Sequence, residues 1–477
     1  MSPAADLGRR PALALFVLGL LVHGAWALTV PGPLDWDAAY YRDVALSIAT
    51  GRGAQAGAAW TAGLAVGPLP MPADLHWMPL PSRVLVPGLA LWPSRGDQLI
   101  TVILAALWAP VSAALAAALG GGARARWAAG LIAVAAGGYA RFLSTPDVFA
   151  LQGLIGGLGW LAVWRGRAGA AAGWAVAAAL CRGDGFLLGL AWGIALGGPA
   201  GAGVAFAGLA ATAGWGLRNL QIAPELALGL RQAALTAPSM AGLLAGDPRL
   251  ITPGERLATL GRELPQALLT AFVAGAALLP GLTALGAWAH RADRRLWAAL
   301  AYLVGMPCIT LLLTPAIAAS GTPFRSGAAL FPLAAALGAV GLLRLDDWLV
   351  ERRAWRPQVV SIGAVVGFWA VSLALGLAQR QARPAAPVDC RPLAGLPAEA
   401  VVLSGRPLLL RAVCGPAAAW LGRTEAPEGV AARAARVGAT HALLPPTDPD
   451  PSVPISADAP ALLPGWRPLG GGLFAAP

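Results

Sequence analysis

The chain contains no lysine; all 34 of its basic residues are arginine. Charge of either sign is scarce, 12% of 477 residues, where soluble domains carry about 25%. With 57% of residues hydrophobic, a water-soluble fold would expose apolar patches and aggregate. Cysteine and histidine number four each, and no Cys-x-x-Cys metal spacing exists. The formal charge of +11 raises nucleic acid as a partner, but the arginines sit between apolar runs instead of forming a basic face. That pattern belongs to membrane topology signals and lipid-phosphate contacts, and it excludes nucleic acid.

Long apolar runs are what the chain has in quantity. Many reach the roughly 17–25 residues that cross the hydrocarbon of a bilayer. The first, Pro11 to Val30, follows Arg9 and Arg10 and holds no charge. It lacks a small-x-small cleavage site and many similar runs follow, so it reads as a retained helix and not a signal peptide. About eleven spans are expected, at 11–30, 98–119, 127–142, 148–164, 168–181, 185–198, 200–217, 266–289, 296–319, 328–343 and 358–379.

Arginine placement orients them. With the N-terminus cytoplasmic, inner loops carry Arg124, Arg126, Arg165, Arg167, Arg291, Arg294, Arg295, Arg344, Arg352, Arg353 and Arg356. The short outer connections hold only Arg141, Arg182 and Arg325. Long loops at 31–97 and 218–265 then lie outside, with the C-terminal tail. The expected organisation is a transmembrane part over 1–383 and a small soluble extracytoplasmic domain over 384–477. In that tail, strand-like "AVVLSG" and "HALLP" flank the helical pattern "VAARAARVG", which predicts a small α/β unit. Outside the cell, Cys390 and Cys414 either form a disulfide or stay as two buried thiols.

The first outer loop opens on "DWDAAYYRDVALSIATG", unusually acidic for this chain. Tyr41, Val44, Ala45 and Ile48 fall at helical spacing, and Gly51 is a fitting stop. The segment predicts an amphipathic helix on the membrane surface, with Asp35 or Asp37 as its N-cap. Further on, Pro79 and Pro81 in "LHWMPLPSRVLVPGLAL" predict an irregular loop of the kind that lines a cavity.

Taken in order, "DWDAAYYRDVALSIATGRG", "HWMPLPSRVLVPGLAL", "STPDVFALQGL", "CRGDGFLLGLAWG", "GWGLRNLQIAP" and "SGTPFRSGAALFPLAAAL" resemble the GT-C superfamily of membrane glycosyltransferases. Within it they are similar to the bacterial branch related to protein mannosyltransferases and aminoarabinose transferases. The resemblance reaches to about residue 343. In one respect the chain departs from the pattern: the family's acids are adjacent, whereas Trp36 here separates Asp35 from Asp37. The spacing to Tyr40 and Tyr41 favours Asp37 as the equivalent of the catalytic acid.

The resemblance implies an all-α, GT-C-like polytopic fold with a small C-terminal α/β extracytoplasmic domain, in a bacterial cytoplasmic membrane. It implies transfer of a sugar from a polyprenyl-phosphate donor to a glycan, lipid or protein acceptor on the outer side. A hydroxyl acceptor needs a base, for which Asp37 and Asp35 are candidates, with Asp147 a second outer carboxylate. The departing lipid phosphate needs positive charge, which Arg218, Arg325 and Arg83 could supply with planar donor forks. Asn219, Tyr40, Tyr41 and His76 are further substrate-binding candidates. Some relatives use a divalent cation at such acids and others do not, which leaves the metal open. Two other readings compete: a transporter or flippase of lipid-linked sugars, and a non-catalytic envelope-assembly protein. The spans are nearly free of acid and show no clear repeat, which weighs against translocation.

Overall fold

The structure, a computed structural model, describes residues 9–477 except 31, 33–34, 61–67, 226, 229–234, 238–242, 244–249, 276–277, 320, 354–357, 383–388, 398, 423–426 and 446–452. Each expected apolar run contains helix, as it must where lipid offers no partner to a bare amide. Six described helices are long and apolar enough to cross a membrane. They are Arg9–Leu28, Gly96–Ala118, Gly198–Ile222, Arg294–Leu313, Thr322–Arg352 and Val359–Arg380. The bent pair Pro253–Ala274 and Leu278–Ala289 makes a seventh if counted as one span. Shorter apolar helices, among them α7 (Phe149–Trp164), α8 (Ala168–Cys181) and α9 (Phe186–Leu196), pack between them.

Large side chains seat on small ones inside the bundle. The Trp108 indole lies on Gly153 of α7, and that of Trp192 on Gly159; a Cβ at either glycine would overlap the ring. Close approach through glycine and alanine replaces the hydrophobic drive that lipid cannot supply. Leu13, Leu21, Ile362 and Val366 stay exposed on outer helices, where lipid is the solvent.

The two ends of the bundle differ in charge. At one end Arg124 pairs with Asp346 and Asp347 at 3.6 and 3.4 Å. There Arg294 donates to the Ala195 carbonyl at 2.9 Å and Arg295 to that of Trp164 at 3.1 Å. Helix α7 runs from Asp147, just before its start, to Trp164 at this arginine-rich end. The acids of the first long loop therefore gather at the other end.

In that loop, α2 (Trp36–Ala49) starts where the sequence predicts. The Asp35 side chain caps it by accepting the Ala38 N–H at 2.9 Å. The helix is not a surface float, however. Tyr40, Tyr41, Asp43, Val44, Ala45 and Ser47 are all buried, because α2 is covered by α3 (Leu80–Leu91) and by a helix of the tail, Pro407–Cys414. Pro79 and Pro81 do not prevent a helix either. They stand at its first turn, where a missing N–H costs nothing, and α3 begins at Leu80.

The tail forms a six-stranded sheet. Its strands are β4 (Val401–Ser404), β5 (Ala417–Trp420), β6 (His441–Leu443), β7 (Arg467–Gly470) and β8 (Leu473–Ala475), plus β2 (Ala58–Ala59) from the first loop. The order is β2-β5-β4-β6-β8-β7, parallel from β2 to β6 and antiparallel beyond. Helix Pro427–Val437 stops at Gly438, whose φ of 67° suits a left-handed stop. Cys390 and Cys414 are joined as a disulfide.

Candidate active site

Arg325 gathers three of the expected acids. One guanidinium nitrogen lies 3.1 Å from Asp35 Oδ2; its Nε lies 3.3 Å from Asp37 Oδ2 and 3.5 Å from Asp147 Oδ2. These residues come from three separate connections, 35–37, 147 and 325. The backbone carrying Arg325 is fixed on both sides. Tyr139 donates its hydroxyl to the Phe324 carbonyl at 2.9 Å. Ser326 donates its hydroxyl to Asp184, which also pairs with Arg182 at 2.9 Å.

Asp147 is the most enclosed of the three acids, its side chain without solvent exposure. One of its oxygens accepts the Val148 N–H at 2.5 Å. Burial, then the charge of Asp35, pushes its carboxyl well above the usual range; Arg325 pulls the other way and loses. Three carboxylates around one guanidinium leave excess negative charge, and Asp147 is where a proton relieves it.

A sign follows for stability. The folded state keeps this proton where the unfolded chain, with a pKa of about 3.9, has lost it. The stabilisation is full below about pH 4 and disappears as pH rises through the raised folded value. The melting temperature in detergent is therefore expected to fall as pH rises over this window. Asp147→Asn, which carries no proton to lose, should flatten that slope; a variant with the wild-type slope would refute the assignment.

Asp37 turns its second oxygen to Trp77, whose indole N–H donates to Oδ1 at 3.1 Å. Trp77 also stacks on Tyr40 at 4.1 Å and links this cluster to a second one. There Asp74, buried and with a φ of 65°, pairs with Arg83, and its N–H donates to the Tyr40 hydroxyl at 2.5 Å. The Asp74 carbonyl accepts from the Trp215 indole at 3.2 Å and from Asn219 Nδ2 at 3.0 Å. Arg218 donates to Asn219 Oδ1 at 2.9 Å and to the Ala73 carbonyl at 3.2 Å. The guanidinium carbons of Arg218 and Arg83 lie 4.7 and 5.8 Å from the Trp215 ring centre. Burial raises the Asp74 carboxyl, against the pull of Arg83 and Arg218.

The expected residues thus fall into two groups linked through Trp77. Asp35, Asp37, Asp147 and Arg325 make the first; Tyr40, Arg83, Arg218 and Asn219 belong to the second. Tyr41 is buried within electrostatic reach of Asp37 and Asp147, and burial raises its phenol well above the ordinary value. His76 lies against the rings of Trp60 and Trp77, at 4.7 and 4.9 Å. Asp74 is a member that sequence reasoning missed. Its one signal was an acid inside an irregular apolar stretch, "MPADLHW".

A divalent cation does not fit the first cluster as it stands. Such ions need oxygens converging at about 2.0–2.6 Å, whereas the guanidinium fork occupies the centre and meets each carboxylate at 3.1–3.5 Å. Among the described residues no group of three or more His, Cys, Asp or Glu side chains is arranged to hold a metal.

The chain is thus a polytopic helical membrane protein with an acid-bearing first loop and a small terminal α/β unit. No family model matches the chain, and no curated protein matches it. Solved structures do. The chain is similar to ArnT of Cupriavidus metallidurans bound to undecaprenyl phosphate, with a TM-score of 0.57 and 16% identity over 89% of this chain and 88% of that one. It is similar to the oligosaccharyltransferase of Archaeoglobus fulgidus in complex with zinc and sulfate, with a TM-score of 0.54 and 13% identity over 90% and 67%. It is also similar to the same organism's AglB in complex with an inhibitory peptide and a dolichol-phosphate, with a TM-score of 0.53 and 11% identity over 90% and 69%. At these identities the likeness shows the fold.

Proposed function

We propose that the chain is an integral membrane glycosyltransferase that moves a sugar from a polyprenyl-phosphate-linked donor to an acceptor on the outer side of the cytoplasmic membrane. The observation that carries this reading is Arg325 holding Asp35, Asp37 and Asp147, the four residues drawn from three connections, beside a second, arginine-bearing cluster.

In this reading Asp37 is the base. Arg325 and Trp77 fix its two oxygens, and one of them takes the proton of an acceptor hydroxyl. The acceptor oxygen attacks the anomeric carbon. The bond from that carbon to the phosphate oxygen breaks, and its electron pair leaves with the prenyl phosphate. Arg218 and Arg83, half-buried beside Trp215, supply positive charge to that phosphate, with Asn219 as an added donor. Prenyl phosphate is a good leaving group, so no second carboxylic acid is required of the kind many glycosidases use.

Two observations support an extracytoplasmic site. The arginine-rich loops collect at the opposite end of the bundle, as cytoplasmic loops do. The Cys390–Cys414 disulfide suits an oxidising compartment. The reading also keeps 384–477 as an extracytoplasmic domain on a transmembrane part, 1–383.

Deleting the gene in its own host is expected to cause a polyprenyl-phosphate sugar to accumulate and one outer-surface glycan, lipid or protein to lose that sugar. Lipid and glycan profiles unchanged in the deletion strain would remove the proposal.

A further inference from the structure

Helix α2 has two working sides. Asp37 in its first turn faces Arg325. Asp43, six residues on and so about 240° around the helix axis, faces away from it. Asp43 is 4% exposed and bonds only across the junction with other segments. Its Oδ2 accepts the Gly57 N–H at 2.7 Å, and its Oδ1 accepts from Arg411 Nε at 2.9 Å. Arg411 belongs to helix Pro407–Cys414 of the tail, and it also donates to the Gly415 carbonyl beyond that helix. Cys414, between the two, is tied to Cys390.

Other contacts tie the same surfaces together. Trp36, the first residue of α2, lies 5.6 Å from Trp420 at the end of β5. Strand β2 pairs with β5 at Ala58 with Ala418 and Ala59 with Ala419, and Ala418 N–H donates to the Gly57 carbonyl at 3.0 Å. Just after β2, Trp60 meets Trp77 at 5.0 Å, and Trp77 is the donor to Asp37. A Cβ on Gly57 would strike the Arg411 guanidinium, so the loop is shaped around that side chain.

We propose that Arg411 is a positioning residue: the tail sheet and its disulfide-tied helix clamp α2 from behind and so hold Asp37 against Arg325. The catalytic half of this inference rests on the proposed transferase reading; the mechanical half does not. Arg411 is remote in sequence from every acid it steadies, and it acts through Asp43 and not on substrate. A misplacement of about 1 Å at a reacting group can cost on the order of 100-fold in rate.

The test uses the full chain in lipid nanodiscs, with hydrogen exchange over 36–49 read beside kcat and KM for a polyprenyl-phosphate sugar. Arg411→Gln is expected to speed exchange in α2 at least about tenfold while the spans stay protected. It should lower kcat by about 10–100-fold and leave KM for the donor within about twofold. Arg411→Lys should restore part of both. Asp43→Asn, which breaks the same pair from the α2 side, should reproduce the effect and serves if Arg411→Gln fails to accumulate. Unchanged exchange in α2 for both variants overturns the clamp, and faster exchange with unchanged kcat overturns its catalytic half. A wild-type chain with no transferase activity would instead defeat the functional proposal, and the exchange data would still decide the clamp.

Discussion

Replacing Asp37 with Asn is expected to lower kcat by about 10²–10⁴-fold, the usual worth of a positioned base. Asn keeps the shape, and its carbonyl oxygen can still accept from Trp77 or Arg325, but it cannot take the acceptor's proton. The helix that carries it should survive, because Asp35 and not Asp37 supplies the N-cap. KM for the lipid donor should change little, since the donor phosphate is assigned to Arg218 and Arg83. Asp35→Asn provides the contrast. Asn caps a helix about as well as Asp, so this change removes one charge from the Arg325 cluster and little else, and roughly a tenfold loss is expected. The check is kcat for both purified variants at saturating donor. A larger loss in Asp35→Asn would transfer the base to that residue.

The second large effect is at Arg325. It is the cation shared by Asp35, Asp37 and Asp147, and its side chain is only 18% exposed. Removing one partner of a buried ion pair typically costs about 3–5 kcal/mol, because the remaining charge is left uncompensated. Arg325→Ala should therefore lower the melting temperature and abolish transfer. It should also do something a merely structural loss would not. With the guanidinium gone, the carboxyl groups of Asp35, Asp37 and Asp147 converge on a vacated centre, and once a cation displaces the Asp147 proton their oxygens suit Mn²⁺ or Mg²⁺. Mn²⁺ should bind the variant and partly restore its melting temperature, whereas the wild-type cluster should bind none. Unchanged stability in Arg325→Ala, or Mn²⁺ bound at these acids in the wild type, would show that the guanidinium is not the resident cation.

Much of this was legible in the sequence because it is local. The apolar runs, the start of α2 near Asp35 and Asp37 and the helix that ends at Gly438 follow from composition, periodicity and stop signals within a few residues. The resemblance implies that outer acids and arginines share one site, with Arg325 a candidate for the lipid phosphate; that Arg325 pairs with Asp35, Asp37 and Asp147 was not legible, since nothing in the spacing brings position 37 to position 325. What stayed hidden was set by tertiary pairing. β2 is two alanines in "GAAW", with no strand pattern, and it is a strand because β5 offers an edge. Asp43 and Ser47 lie off the apolar stripe of α2, which places them in water on a surface helix, yet both are buried, Asp43 against Arg411 of the tail. The division of arginines was hidden too. Arg218 and Arg325 are both at span ends, but one is engaged by carbonyl and amide groups and the other by three carboxylates.

Release of polyprenyl phosphate from a polyprenyl-phosphate sugar by the purified full-length chain in nanodiscs tests whether these acids and arginines transfer sugar from a lipid phosphate. Release should depend on a hydroxyl acceptor and be all but abolished in Asp37→Asn. Release at equal rates from the wild type and Asp37→Asn, or none from any such donor, would contradict it.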